Sequence, residues 1–169
     1  MNSVNVGGII FPSFNSTNGV AIDIFLTGCS RHCKNCHNPN LWDKDAGIRM
    51  EFNEIIRIIK SKKVVDSIAI MGGEPLEDPK LGELLSALQT AFPDKKIWLY
   101  TSYTLKDVSA DVKDKCDYIK TGRYIESQKC EGRLATSNQK IYKNCEGEYA
   151  PYYSFEGGTI SAENRINTN

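Results

Sequence analysis

No run of apolar residues in this chain approaches the ~20 needed to cross a membrane, so a transmembrane role is not expected. Charge of one sign is missing as well. The 21 basic and 21 acidic residues leave a formal net charge of zero, and no overall field draws the protein toward nucleic acid or anionic lipid. Met1 to Gly19 lacks the basic start and apolar core of a secretory signal. The chain is therefore expected in the cytoplasm, where thiols stay reduced and a disulfide framework does not form. Histidine is scarce, with His32 and His37 the only two, which leaves little material for a histidine-rich metal site. Internal repeats and low-complexity segments are absent. At 169 residues the sequence is expected to form one domain spanning 1–169, long enough to bury a core.

Against these absences stand three cysteines within eight residues: Cys29, Cys33 and Cys36, spaced C-x3-C-x2-C. They follow the apolar run Ile22 to Leu26 and lead into His37-Asn38-Pro39. The spacing places three thiolates on one loop, close enough to ligate one inorganic cluster, and no fourth cysteine lies nearby. Clusters that only carry electrons are usually held by four cysteines. A set of three leaves one iron open, by the logic that separates open catalytic metal sites from closed structural ones. Two plainer readings remain beside it. A structural zinc site would need a second ligand pair, and each histidine here directly abuts a cysteine. A thioredoxin-like Cys33-x-x-Cys36 pair would leave Cys29 unexplained. Cys116, Cys130 and Cys145 are far apart and read as small buried hydrophobes. Cys130 and Cys145 lie in polar surroundings, where a second metal site stays open.

Periodicity arranges the rest. Gly8 to Pro12 reads as a short edge element ended by proline, and Asn15 to Gly19 as a loop. Val20 to Leu26 reads as a strand interrupted by Asp23. Phe52 to Ser61 reads as a helix with Ile55, Ile56, Ile58 and Ile59 on its apolar face. Strands are expected at Ser67–Met71, Ile97–Tyr100 and Tyr118–Thr121, with helices around Leu81–Leu88 and over Leu105–Lys115. This alternation predicts an α/β fold with a parallel sheet and crossover helices. From Ser127 onward the chain is polar and lacks long apolar periodicity. It reads as an extension that Tyr142, Tyr149, Tyr152, Tyr153 and Phe155 could dock, fraying after about Ile160.

In parallel α/β sheets ligands bind beyond the carboxyl ends of the strands. Four segments fall there: the cysteine loop, Gly72-Gly73-Glu74-Pro75, Thr101–Tyr103 and Thr121–Arg123. The glycine pair permits close backbone approach, Glu74 offers a carboxylate to an ammonium group, and Pro75 sets the turn.

These residues resemble a known family. Cys29-Ser-Arg-His-Cys33-Lys-Asn-Cys36 is similar to the signature of radical S-adenosylmethionine enzymes, and Met71 to Pro75 to their second motif. Gly28 through Trp42, Tyr100 to Tyr103 and Thr136 to Ile141 resemble the small activating proteins of anaerobic (class III) ribonucleotide reductase. The likeness covers roughly residues 5–143, leaving 144–169 as a C-terminal extension.

The resemblance implies a partial, open (β/α) barrel, and a closed eight-stranded one would need roughly 250 residues. It implies a [4Fe-4S] cluster on Cys29, Cys33 and Cys36, with S-adenosylmethionine at the fourth iron. Asn35, Cys36, His37, Gly72, Gly73, Glu74, Pro75, Thr101 and Asn138 are the residues expected at the cofactor. No side chain need act as a catalytic acid or base, since cluster and cofactor carry the chemistry. The implied outcome is a glycyl radical on the large subunit of the reductase, with a flavodoxin-type reductant and a homodimer. Asn35, Ala21 and Thr121 stand where relatives often carry an aromatic or glycine, an arginine and an aspartate. The same chemistry would serve an activase of a pyruvate formate-lyase-type enzyme, which shares Cys-His-Asn-Pro. A non-enzymatic zinc-binding adaptor is the reading from a different class.

Overall fold

The structure, a computed structural model, describes residues 2–156 and 159–161. Among these, nine strands form one open sheet: β1 (Ser3–Ser13), β2 (Ala21–Leu26), β3 (Ile48–Glu51), β4 (Ser67–Gly72), β5 (Lys96–Tyr100), β6 (Tyr118–Thr121), β7 (Lys140–Cys145), β8 (Glu148–Glu156) and β9 (Thr159–Ser161). Their order is β3-β1-β2-β4-β5-β6-β7-β8-β9. The central β2, β4, β5 and β6 are parallel, as the alternation of elements predicts, and both flanks are antiparallel. Helices α1 (Phe52–Lys60), α2 (Leu81–Ala91) and α3 (Ala110–Lys113) carry the crossovers between the parallel strands.

The parallel register sorts the strand residues onto two faces. Ile22, Ile24, Ile68, Ile70, Ile97, Leu99 and Ile119 meet the helices in the main core. There they pack with Ile55 and Ile59 of α1 and with Leu81, Leu84, Leu85 and Leu88 of α2. The alternate residues make a different surface. Asp23 pairs with Ala69, Ala69 with Trp98, and Trp98 with Tyr118, so one row crosses the sheet on its inner face. Trp98 and Tyr118 stack there with ring centroids 4.1 Å apart, and Leu134, Ile141 and the β8 residues Tyr152 and Tyr153 cover them. Asp23, which interrupts an otherwise apolar strand, is thus an inner-face residue. It is buried and accepts a hydrogen bond from Ser16 at 2.6 Å.

Three expectations need correction. Gly8–Pro12 is not a separate short element but the second half of β1; it does lie at the sheet edge, because β3 pairs only with Ser3–Val6 and leaves Gly8–Ser13 bonded to β2 alone. Its proline falls where the register with β2 shifts between Ile10 and Ser13, a place where a missing N–H is tolerated. Leu105–Lys115 is not one helix. Thr104 and Asp107 close a capping box around a single 3-10 turn, Val108 turns extended, and Ser109 caps the separate α3. The polar extension is not an appendage, since β7 and β8 pair as a hairpin continuous with β6, and a boundary after residue 143 falls inside β7. Its turn uses Glu146 and Gly147 at φ 56° and 96°, a local geometry that matches the twist of paired strands. Tyr149 docks the hairpin by donating to the carbonyl oxygens of Lys113 (2.8 Å) and Cys116 (2.5 Å). The expected fraying after Ile160 concerns residues that lie almost wholly outside those described.

Close backbone approach requires glycine at residues 72 and 73. A Cβ on Gly73 would sit 2.3 Å from the carbonyl oxygen of Gly28, and Gly72 adopts φ 121° against Leu26. Gly73→Ala is therefore expected to destabilise the protein by about 1–3 kcal/mol. Gly8→Ala, whose Cβ would meet nothing within 4 Å, should change stability by less than about 1 kcal/mol. Urea unfolding of the two variants checks this.

Candidate functional site: a cleft beneath the cysteine loop

The cysteine loop leaves β2 and is pinned on both sides by backbone hydrogen bonds. The carbonyl of Gly28 accepts from the N–H of Glu74 at 2.7 Å. The N–H groups of Gly28 and Cys29 donate to the carbonyls of Leu41 (2.8 Å) and Trp42 (3.0 Å), folding the segment after Cys36 back onto its start. His32 and Asn35 take left-handed conformations, φ 40° and 56°, which curl the chain between the cysteines. Cys36 N–H donates to the Cys33 carbonyl at 3.1 Å, and Asn38 N–H faces the Cys36 sulfur at 3.4 Å. Burial pushes the Cys29 thiol up, and the Glu74 and Glu77 carboxylates add to this against the N–H groups of Arg31 and His32.

Below the loop lies an open cleft of about 200 Å³ on the inner face of the sheet. The structure brings seven of the expected residues to its wall: Cys29, Cys33, Cys36, His37, Gly72, Gly73 and Thr101. Asn35, Glu74, Pro75 and Asn138 do not line it. Among the described residues no three His, Cys, Asp or Glu side chains converge closely enough to hold a single metal ion. A single zinc ion would need every thiolate about 2.3 Å from one point, whereas a four-iron cluster distributes its ligands over separate corners. Three thiols around one cleft, with glycine backbone on the same wall, form a donor set that suits such a cluster with one corner left for a ligand.

The residues off the wall have structural work of their own. Glu74 is 2 % exposed, and four donors converge on its carboxylate. They are the Thr101 hydroxyl (2.6 Å), the Ser102 N–H (2.7 Å) and hydroxyl (2.5 Å), and the Leu76 N–H (3.2 Å). The carboxylate thereby ties the end of β4 to the end of β5. Asn138 donates to the carbonyl of Arg123 at 2.9 Å, and the Arg123 guanidinium donates to the carbonyl of Arg31 in the cysteine loop at 2.8 Å. Gln139 donates to Gly122 O and accepts from the N–H groups of Ala135 and Thr136. Glu77 accepts from Ser30 N–H, Ser30 hydroxyl and Tyr103 hydroxyl. Burial opposes its ionisation, but those hydrogen bonds outweigh burial and hold its carboxyl below the usual range.

Ser102, Lys120, Tyr124 and Gln139 also line the cleft. Ser102 and Gln139 sit inside recognisable motifs, so a signal for them existed. Lys120 had none, because a lysine in a short apolar strand reads as solvent-facing. Cys116, Cys130 and Cys145 do not line the cleft, and burial pushes the Cys116 thiol far up, as suits a packing residue. Glu74→Ala would strand four side-chain and backbone donors in a buried turn. The cluster-free protein should lose about 2–4 kcal/mol of stability by urea unfolding, a loss that a role in ligand contact alone would not produce.

The model of the family described as "4Fe-4S single cluster domain" matches residues 16–142. An anaerobic ribonucleoside-triphosphate reductase-activating protein of Enterobacteria phage T4 is 27% identical over 146 residues, covering 82% of this chain and 94% of the relative. The protein of that name from Vibrio cholerae is 30% identical over 138 residues, 74% of this chain and 88% of its own. That from Escherichia coli K12 is 24% identical over 136 residues. With the cysteine loop over an open cleft, these likenesses place the chain in the 4Fe-4S single-cluster family, among the anaerobic ribonucleoside-triphosphate reductase-activating proteins.

Proposed function

We propose that this protein cleaves S-adenosylmethionine reductively and uses the product to install a glycyl radical on an anaerobic ribonucleotide reductase. The observation that carries the reading is the sharing of one open cleft by three cysteines and the Gly72–Gly73 backbone. Cys29, Cys33 and Cys36 hold a [4Fe-4S] cluster, and the open sheet acts as a partial barrel of the radical S-adenosylmethionine type. When bound, cluster and cofactor would supply one-electron reductive cleavage and hydrogen-atom abstraction from a glycine of the reductase large subunit.

The chain's own residues position and shield. The N–H of Asn38 stabilises charge on the Cys36 sulfur. Backbone carbonyls of the Gly72–Gly73 segment receive the cofactor's ammonium group. Glu74 acts on that segment indirectly, by fixing Thr101 and Ser102 against it. Asn138 serves through Arg123, which braces the cysteine loop from β6. His37, 4.8 Å from the Tyr124 ring, lines the rim, and Asn35 and Pro75 shape the turns behind it. Among the described residues no helix covers the inner face, so a loop of a partner protein can approach the cleft.

A single domain over 1–169, a cytoplasmic setting, a flavodoxin-type reductant and a homodimer complete this proposal. Among the described residues no helix is long and apolar enough to cross a membrane.

Anaerobic iron reconstitution followed by electron paramagnetic resonance, with dithionite, S-adenosylmethionine and the reductase, tests it. A glycine-centred doublet should form on the reductase and be absent with Cys33→Ala protein. A cluster that responds to S-adenosylmethionine but yields the doublet only on a pyruvate formate-lyase-type partner would move the assignment there. A colourless protein with stoichiometric zinc after anaerobic purification would replace it by the adaptor.

Arg123→Ala removes the brace on Arg31 and leaves all three thiols in place. Iron release to a chelator should accelerate about 10- to 100-fold, as for other groups that orient metal ligands.

A further inference from the structure

Neither the cysteine motif nor the fold accounts for Lys120, a lysine on the wall of the cleft. It lies on β6 between Tyr100 of β5 and Ile141 of β7, on the inner face, and is only 8 % exposed. Its ammonium donates to the carbonyl of Arg133 at 3.1 Å and sits 5.0 Å from the centre of the Tyr100 ring. Among the described residues it forms no ion pair. Burial pushes its pKa down to about 8, and the Cys130 thiol only partly opposes this.

A buried cation without a counter-ion costs several kcal/mol, and such groups are normally paired. Packing alone would be served by methionine or leucine at this position, since the neighbouring inner-face residues Met71, Trp98 and Tyr118 are apolar or aromatic. Its one hydrogen bond, to the Arg133 carbonyl, leaves two ammonium protons without an acceptor and able to meet a ligand. Lys120 also opens onto the same cleft as the three cysteines. We infer that Lys120 is an anion-binding residue whose partner is a carboxylate carried into the cleft by the small-molecule ligand.

This rests on the reading above, under which the carboxylate is that of the methionyl part of S-adenosylmethionine. The other formal charges on that molecule, the ammonium and the sulfonium, are positive and would be repelled by a lysine. The carboxylate is the group that makes a buried cation here favourable.

The test uses the full chain with its cluster reconstituted, comparing wild type, Lys120→Met and Lys120→Gln. Gln keeps a donor for the Arg133 carbonyl while removing the charge. Equilibrium dialysis under anaerobic conditions measures binding of S-adenosylmethionine and of its decarboxylated analogue. Both variants should bind S-adenosylmethionine about 10- to 100-fold more weakly, the value of a charge-assisted contact. Their affinity for the decarboxylated analogue should be unchanged or improved. In the cluster-free state Lys120→Met should melt at or above the wild-type temperature, because an uncompensated buried charge is gone. Equal losses for both ligands, or no loss for either, would overturn the inference and leave Lys120 a structural residue. Failure of the cluster-loaded wild type to bind S-adenosylmethionine would instead overturn the functional reading on which it stands.

Discussion

Two backbone hydrogen bonds just past the ends of β2 and β4 hold the rest of the site in place. The last ladder pair is Leu26 with Gly72, yet pairing continues through Gly73 N–H to Leu26 O at 2.8 Å and Glu74 N–H to Gly28 O at 2.7 Å. Any side chain at residue 73 would collide with Gly28, so this approach is available only to glycine. Because the chain enters the cysteine loop at Gly28, the loop inherits the rigidity of the sheet. Its first cysteine, Cys29, is held by the backbone alone, through its N–H to the Trp42 carbonyl.

From that contact the bracing spreads along the carboxyl ends of the parallel strands. Glu74 reaches β5 through Thr101 and Ser102, Glu77 returns to Ser30, and Arg123 reaches from β6 to Arg31. The exposed bonds among these contribute little individually, but they converge on one loop whose thiols would otherwise fan out. The buried Glu74 cluster is different. Its donors are desolvated and depend on one carboxylate, which makes it a stability element and a site element together.

The sheet divides its labour by face. The helix-covered side is almost wholly aliphatic and supplies the driving force for folding. The inner side carries Asp23, Tyr100 and Lys120, groups that a core chosen for stability alone would not include. Such residues cost free energy, and two of them, Tyr100 and Lys120, lie on the cleft wall.

Strand and helix periodicity was legible at β2, α1, β4, α2, β5 and β6 because each buries one apolar face with a regular period. The extension was not legible. β8 carries Pro151 and its register shifts opposite Ile141–Tyr142, so its aromatics do not alternate cleanly, and only pairing with β7 makes it a strand. The segment 105–115 misled because its apolar spacing suits a helix while two successive caps interrupt it.

By itself, the sequence determined the cysteine triad, the glycine pair and the alternation of strands and helices that makes the central sheet parallel, since each is a matter of local spacing. Only the tertiary structure decided that Glu74 and Asn138 act through other residues and that Lys120 faces the cleft. A side chain's partners across a sheet depend on strand order and register, and neither is written in the spacing of a single strand.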